Sequence, residues 1–510
     1  MRTCLSGPQI ETRGLEAKPS RPLRLEVLSF AFPNRALLLY GAAPGMMSER
    51  ARAIGRFARS HIPELVVVAF GLGLRISLTK TFDVTLGYDY PAHLQFAKYI
   101  QEHWRIPPYT LNYSAYNPSL YYWLAAFLMK LGCSVQAVGR VAIICACLQL
   151  LVMWVGLEMY LRESRLARVL ALIMFATLPA ALHIAGFFSN HALHDFACTT
   201  GMVLLAQVFL RRGRAVARYA IGGGFAMGVA MLTKVSGVSV LEALVLALAI
   251  AVFRARARKE TARALMPGAA LVFGVVALVA GWHYVRHKVL HGGFVLICFD
   301  MYADVEPGFK IPYLDRRTFG FVGYWDTDIY RAPFWPSAIR PRPRFWPQLM
   351  ITTFSDYFNF AFVPRPKPRE PTIIINSKPM RTAAIGPAQA AAVGGTILAA
   401  LLVAGWLVSA RSLWRREDWP RLFLILTAMF VVVNQLHFAV KYPFDNHGVI
   451  KGTYLQFAGP VMCALAALAI SWLWNRRHPI TRALAVVGMA GIALSATYSV
   501  YAKIIVPLSG

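Results

Sequence analysis

Apolar residues fall in long blocks separated by short polar or basic stretches. The clear blocks are 64–80, 139–161, 167–187, 196–210, 218–233, 236–253, 267–284, 390–410, 422–440, 454–474 and 482–502. Each runs for about 15–22 residues, the length of helix that crosses a hydrocarbon core roughly 30 Å thick. One further block, Ser119–Leu131, has 13 residues and is too short for an ordinary span. Positive charge decides how to count it, because Lys and Arg clusters are retained on the cytoplasmic side during insertion. If 119–131 does not cross, the clusters Arg162–Arg168, Arg211–Arg218, Arg254–Lys259, Arg411–Arg421 and Asn475–His478 all fall on the side of the Arg-rich N-terminal tail. The pattern therefore predicts eleven spans, with the N-terminus cytoplasmic and the C-terminus outside.

That topology divides the chain into a basic, disordered cytoplasmic tail at 1–60, a transmembrane module at 61–284, an extracytoplasmic loop domain at 285–389 and C-terminal transmembrane helices at 390–510. The first external loop, 81–138, is expected to hold short interfacial helices. The expected fold class is all-α and polytopic. Composition agrees: 57% of the 510 residues are hydrophobic and 15% charged, with mean hydropathy +0.49. A soluble chain carries about 25% charged residues, so an ordinary cytosolic enzyme, a disordered chain and a fibrous one are all excluded. Net charge +29 suggests nucleic acid at first sight, but the excess sits in the clusters between spans, where it suits anionic headgroups. No nucleic-acid motif is present. Most of the seven cysteines lie in apolar blocks, where a thiol is a small buried hydrophobe. A Cys133–Cys298 disulfide would need both loops in an oxidising compartment.

Candidate chemistry collects in the segments assigned to the outer face. In the first loop, Pro91 suits a first helical turn, and Leu94, Ala97 and Ile100 give the apolar stripe of a helix lying on the membrane surface. Asp89 opens that helix, where the dipole stabilises an anion and where Asp is a common cap. His93, four residues on, shares its face. Tyr116–Trp123 reads as a Pro-initiated interfacial helix with an aromatic belt. In the large loop, Asp326 and Asp328 lack a complete ligand set, so no metal is assigned. His283, His437 and His447 read as boundary residues.

The run Asp89-Tyr90-Pro91-Ala92-His93-Leu94, followed by Glu102-His103, Ile106-Pro107 and Asn117-Pro118-Ser119-Leu120-Tyr121-Tyr122-Trp123, resembles the first-loop signature of the GT-C membrane glycosyltransferases. Within them it is most similar to glycosyltransferase family 39, which includes protein O-mannosyltransferases and lipid A aminoarabinose transferases. The family's acidic pair is reduced here to Asp89-Tyr90, and its Pro-Pro pair to Asn117-Pro118-Ser119. Three later elements fit in order: Ser189–Asp195, Met231–Gly237 and Lys451–Tyr454.

The resemblance implies a hexosyl or pentosyl transferase that moves a sugar from a polyprenyl-phosphate donor to a glycan, lipid or protein acceptor on the outer face, usually with inversion. No separate cofactor is implied, since the lipid-linked sugar is a co-substrate. Asp89 is then the general base. His93 binds substrate or is a polar helix-face residue. Asn190 and Asp195 orient the sugar or acceptor, or Asp195 simply starts the next span. Lys234, an ionisable residue between two apolar blocks, pairs with the lipid phosphate or snorkels. Lys451 is a second phosphate candidate, with Tyr454 beside it. A secondary transporter is the rival class; it calls for repeats and interrupted mid-membrane helices, and no repeat between the halves is evident. A catalytically silent relative acting in envelope assembly is the third reading. Ala and Arg richness points to a bacterial inner membrane.

Overall fold

The chain divides into Met1–Ser60 and His61–Gly510. A computed structural model describes residues 59–81, 84–87, 89–211, 213–254, 259–295, 319–323, 327–331, 333, 344–355, 372–375, 378–381, 385–416, 418–441 and 450–501. The tail expected at 1–60, all but its last two residues, lies outside this set. So do most of the expected loop domain, Cys298, Asp326 and His447.

The helices are α1 (Ile62–Thr81), α2 (Tyr90–His103), α3 (Leu120–Lys130), α4 (Val135–Gly139), α5 (Val141–Tyr160), α6 (Arg165–Thr177), α7 (Pro179–Gly186), α8 (His191–Val208), α9 (Arg214–Thr233), α10 (Val238–Arg254) and α11 (Lys259–His291). They continue with α12 (Phe319–Val322), α13 (Phe345–Phe354), α14 (Ile385–Arg416), α15 (Trp419–Lys441), α16 (Gly459–Asn475) and α17 (Pro479–Val500). A single antiparallel hairpin, β1 (Thr372–Ile375) with β2 (Lys378–Arg381), pairs Thr372 opposite Arg381. The protein is an all-α, multi-pass membrane protein with this one small sheet among the described residues.

Eight helical segments among the described residues are long and apolar enough to cross a membrane, and a ninth span is formed if the bent pair α6–α7 counts as one. The expectation of eleven is thus not reproduced as eleven regular spans. Three of the eleven blocks account for the difference. Block 167–187 breaks by 48° at Leu178, before Pro179. Block 454–474 opens with a 3-10 turn, Gly452–Leu455, and leaves α16 only 17 residues. Block 196–210 belongs to α8, whose first turns carry His191, His194 and Asp195. The disputed block 119–131 is α3, 11 residues long, about 16 Å at 1.5 Å per residue and short of a crossing. It packs on α2, with Phe96 and Tyr122 stacked at 3.9 Å.

The break between α6 and α7 is built around Arg75. Its guanidinium is fully buried and donates to the carbonyls of Gly71 (3.1 Å), Ala176 (3.3 Å) and Phe175 (3.3 Å). Pro179 ends α6 and frees its last carbonyls; a cation at that C-terminus satisfies them and suits the dipole. The bend redirects α7 so that the chain after it, Phe187 to His191, reaches the end of the bundle where Asp89 lies. At the opposite end of α1, Glu64 is fully buried against Arg168 (3.2 Å), and Arg168 also meets Glu158 at 2.9 Å. This ion network clamps α1, α5 and α6. Close helix approach elsewhere uses small residues, as membrane bundles do: a Cβ on Gly405 of α14 would run into the Leu465 carbonyl of α16.

Candidate functional site

Asp89 is the N-cap of α2, with Pro91 in the first turn, yet its side chain makes no capping hydrogen bond. The carboxylate is turned aside instead. It accepts from the Tyr113 hydroxyl at 3.2 Å and from Lys451 Nζ at 3.4 Å, and its side chain is 24% exposed. The cap position therefore fixes the backbone while the side chain remains available for chemistry. Burial pushes the carboxyl's pKa up, but the Lys451 ammonium, His93 and the hydrogen bonds from Lys451 and Tyr113 outweigh it and hold Asp89 below the usual carboxylate range.

One turn along, His93 is buried and shares a 2.6 Å hydrogen bond between Nδ1 and the Tyr122 hydroxyl. Burial, helped by Lys234 and Lys451 and opposed by Asp89, takes its pKa down to about 4. His93 is thus a neutral, polar wall at neutral pH.

Two lysines come from distant parts of the chain. Lys451 precedes the 3-10 turn Gly452–Leu455, and Lys234 ends α9 in an extended conformation. Both ammonium groups lie over the Tyr454 ring, Lys234 at 4.1 Å and Lys451 at 5.6 Å from its centroid. Each such contact favours the cation. Their partners differ. Lys451 is ion-paired with Asp89. Lys234 Nζ is 3.2 and 3.1 Å from the two ring nitrogens of His191, and that ring stacks parallel to Tyr454 at 5.7 Å. Among the described residues no carboxylate is within ion-pair distance of Lys234. Burial, with Lys451 acting in the same direction, lowers Lys234 to about 7 against the opposing pull of Asp195 and Asp89.

These groups surround a cleft of about 400 Å3, lined by Gly87, Asp89, Tyr90, His93, Ile184, Phe187, Phe188, Ser189, His191, Lys451 and Thr453. The mix of apolar walls with a few convergent polar groups is typical of small-ligand sites. A second cavity, about 670 Å3 and almost wholly apolar, runs between α5, α8, α15 and α16, from Thr199 to Tyr160 and Arg421. Gln149 donates to Thr199 Oγ1 (3.1 Å), at the wall of that second cavity, and to the Gln456 carbonyl (3.3 Å), which ties α5 and α8 to the Lys451–Ala458 segment.

Of the residues singled out by sequence, Asp89, His93 and Lys451 line the cleft. Tyr454 and Lys234 stand one layer behind, in contact with His191. Asn190 and Asp195 do not line it. Asn190 donates to the Thr233 carbonyl at 2.9 Å and so joins the ends of α8 and α9. Asp195 is 1% exposed, and neither carboxylate oxygen has a hydrogen-bond partner. Three site residues were not selected from sequence: Tyr113, Tyr122 and His191. His191 stood inside the Ser189–Asp195 motif and could have been weighed with Asn190. Tyr113 and Tyr122 carry no local signal, because an interfacial aromatic belt predicts tyrosines regardless of their partners. His283, expected at a boundary, is buried in the span Leu265–His291 with neither ring nitrogen hydrogen-bonded. Among the described residues no group of three His, Cys, Asp or Glu side chains could hold a metal ion.

No family model and no curated protein matches the chain. Solved structures similar to it include ArnT from Cupriavidus metallidurans bound to undecaprenyl phosphate, at 12% identity and TM-score 0.45, over 88% of this chain and 78% of that one. A second is the archaeal oligosaccharyltransferase AglB from Archaeoglobus fulgidus, in complex with an inhibitory peptide and a dolichol-phosphate, at 14% identity and TM-score 0.46, over 87% of this chain. The match spans 56% of the AglB chain.

Proposed function

We propose that this protein is a membrane glycosyltransferase that moves a sugar from a polyprenyl-phosphate donor to an acceptor hydroxyl at the extracytoplasmic surface, with inversion and with Asp89 as general base. The observation that carries the reading is the convergence of a partly exposed, uncapped carboxylate and Lys451 on one cleft, with Lys234, from the other half of the sequence, one layer behind them against His191. A transfer of this kind needs an anionic base on the acceptor side. It also needs fixed positive charge where the phosphate leaves. Asp89 supplies the first; Lys451 and Lys234 supply the second. Tyr90, Phe187 and Phe188 offer ring faces and edges for a pyranose or furanose. The apolar cavity between α5, α8, α15 and α16 has the character needed by an isoprenoid tail.

The transporter reading predicts polar groups near the midplane, whereas this cluster gathers at helix ends and in the turns between them. The test is Asp89→Asn in purified full-length protein, supplied with a lipid extract containing polyprenyl-phosphate sugars. Loss of a positioned base is expected to lower transfer by about 10²–10⁴-fold while the thermal unfolding midpoint is kept. A folded Asn variant that transfers at the normal rate refutes the assignment.

A further inference from the structure

The Lys234 ammonium does not sit on a lone pair. It lies 3.2 Å from His191 Nδ1 and 3.1 Å from His191 Nε2. The in-plane axes of the two imidazole nitrogens diverge, so one atom at nearly equal short distance from both lies over the ring face. The Tyr454 ring is parallel to that face within 3°, with the centroids 5.7 Å apart, and the ammonium is 4.1 Å from the Tyr454 centroid. Lys234 is thus held between two ring faces. Each face attracts a cation as long as the imidazole is neutral. Burial first, and then Lys234 itself, hold His191 well below its ordinary pKa.

Three elements meet at this clamp. Asn190 of α8 donates to the Thr233 carbonyl of α9 at 2.9 Å, and the next residue on each side, His191 and Lys234, makes the face contact. Tyr454 arrives on the 3-10 turn after Lys451 and is set edge-on against Phe438 of α15, with centroids 6.3 Å apart at 78°. A carboxylate would also hold the ammonium but would offset its charge, as Asp89 does for Lys451 at 3.4 Å. Ring faces hold the cation and leave its net charge in place. His191 lines the cleft, so a fixed positive charge stands behind that wall.

Resting on the glycosyltransferase reading above, we propose that His191 and Tyr454 are positioning residues whose ring faces clamp the Lys234 ammonium beside the cleft and keep its charge available to the phosphate of the lipid-linked donor. A cation fixed before the ligand arrives needs no reorganisation when charge develops on the departing phosphate. In this arrangement the two nitrogens of His191 are not what holds the lysine, and the face of the ring is.

That distinction is testable in the full-length protein in detergent micelles. Binding of undecaprenyl phosphate is measured at about pH 6, below the value of about 7 for Lys234, so that the ammonium is charged. His191→Leu and Tyr454→Leu each remove one face and should weaken binding about tenfold. His191→Phe restores a face without nitrogens and should bind about tenfold more tightly than His191→Leu. Tyr454→Phe and its ring-fluorinated analogues keep the ring while drawing electron density from its face, so affinity should fall stepwise with each added fluorine. In a Lys234→Met background the same changes at 191 and 454 should have no further effect, because they act through the ammonium. A flat fluorine series, equal affinities of His191→Phe and His191→Leu, or effects that persist undiminished in Lys234→Met overturn the clamp. If a leucine variant does not fold, the fluorine series and the Lys234→Met comparison decide. Wild-type protein that binds undecaprenyl phosphate with a flat series loses the clamp alone; wild-type protein that does not bind it loses the glycosyltransferase reading as well.

Discussion

Lys451 can reach Asp89 only because the backbone next to it passes unusually close to α13, and Gly452 makes that approach. A Cβ at position 452 would lie 2.6 Å from both the carbonyl carbon and the oxygen of Thr352, and would also strike Thr353 Oγ1. Ordinary contact between carbon atoms is about 3.5–4.0 Å, so Gly452→Ala requires an opening of about 1 Å against backbone that cannot rotate away. The Gly452 N–H also donates to Thr352 Oγ1 at 2.7 Å, so the displacement breaks a buried hydrogen bond. Overpacking of this kind costs about 1–3 kcal/mol. Because the moving residue sits between Lys451 and Thr453, the same shift carries the ammonium away from its 3.4 Å contact with Asp89. A misplacement of about 1 Å can cost 10²-fold in rate. Gly452→Ala is therefore expected to lower the thermal unfolding midpoint in detergent and to reduce transfer by about 10²-fold in the protein that remains folded. Gly73→Ala is the control, since nothing lies within 4 Å of a Cβ there; it should be neutral or slightly stabilising. A Gly452→Ala protein that melts and transfers like the wild type would show that this close approach does not set the position of Lys451.

Lys451→Met removes the strongest influence holding the Asp89 carboxyl down. The working form of Asp89 is the carboxylate, present above its pKa and lost as pH falls through it. With Lys451 gone, burial dominates and the acid limb of the transfer rate should move to higher pH; an unmoved limb in a pH–rate profile argues against the ion pair. Arg168→Met acts far from the cleft. It removes the closer of the two cations at the fully buried Glu64, leaving the half-exposed Arg165 at 3.6 Å, and removes a 2.9 Å contact with Glu158; a loss below the roughly 3–5 kcal/mol of a buried charge left with no partner is expected, read as a lower unfolding midpoint. Rate per folded molecule should hardly change, and a large specific loss would mean that the clamp at this end also sets the cleft.

The spans were legible because each is a local run of apolar residues, and the short α3 was legible because charge bookkeeping has only two solutions. The irregular ends were harder. Pro179 announces a break in block 167–187, but the break is stabilised by Arg75, whose acceptors Phe175 and Ala176 lie about a hundred positions away. An arginine within an apolar block reads as a snorkelling side chain until its partners are known. Likewise, the polar first turns of α8 resemble a loop followed by a span, and only packing against α5 and α9 makes them one helix.

The candidate site divides along the same line. Asp89 could be chosen from its place before Pro91 and its motif, but the strongest argument for it is an absence that sequence does not record: a cap position whose side chain makes no cap. Lys234 and Lys451 were chosen for one reason, positive charge near a phosphate, and sequence treats them alike. Their partners separate them, and those partners are set by tertiary contacts. The Lys451–Asp89 pair joins residues 362 positions apart, and the Lys234–His191 pair joins residues 43 apart. No periodicity links either pair. Asn190 and His191 make the same point at the shortest range. As neighbours at the start of α8 they leave the helix about 100° apart, so one side chain joins the end of α9 and the other faces the cleft. A motif places both at the site; the helix turn admits only one.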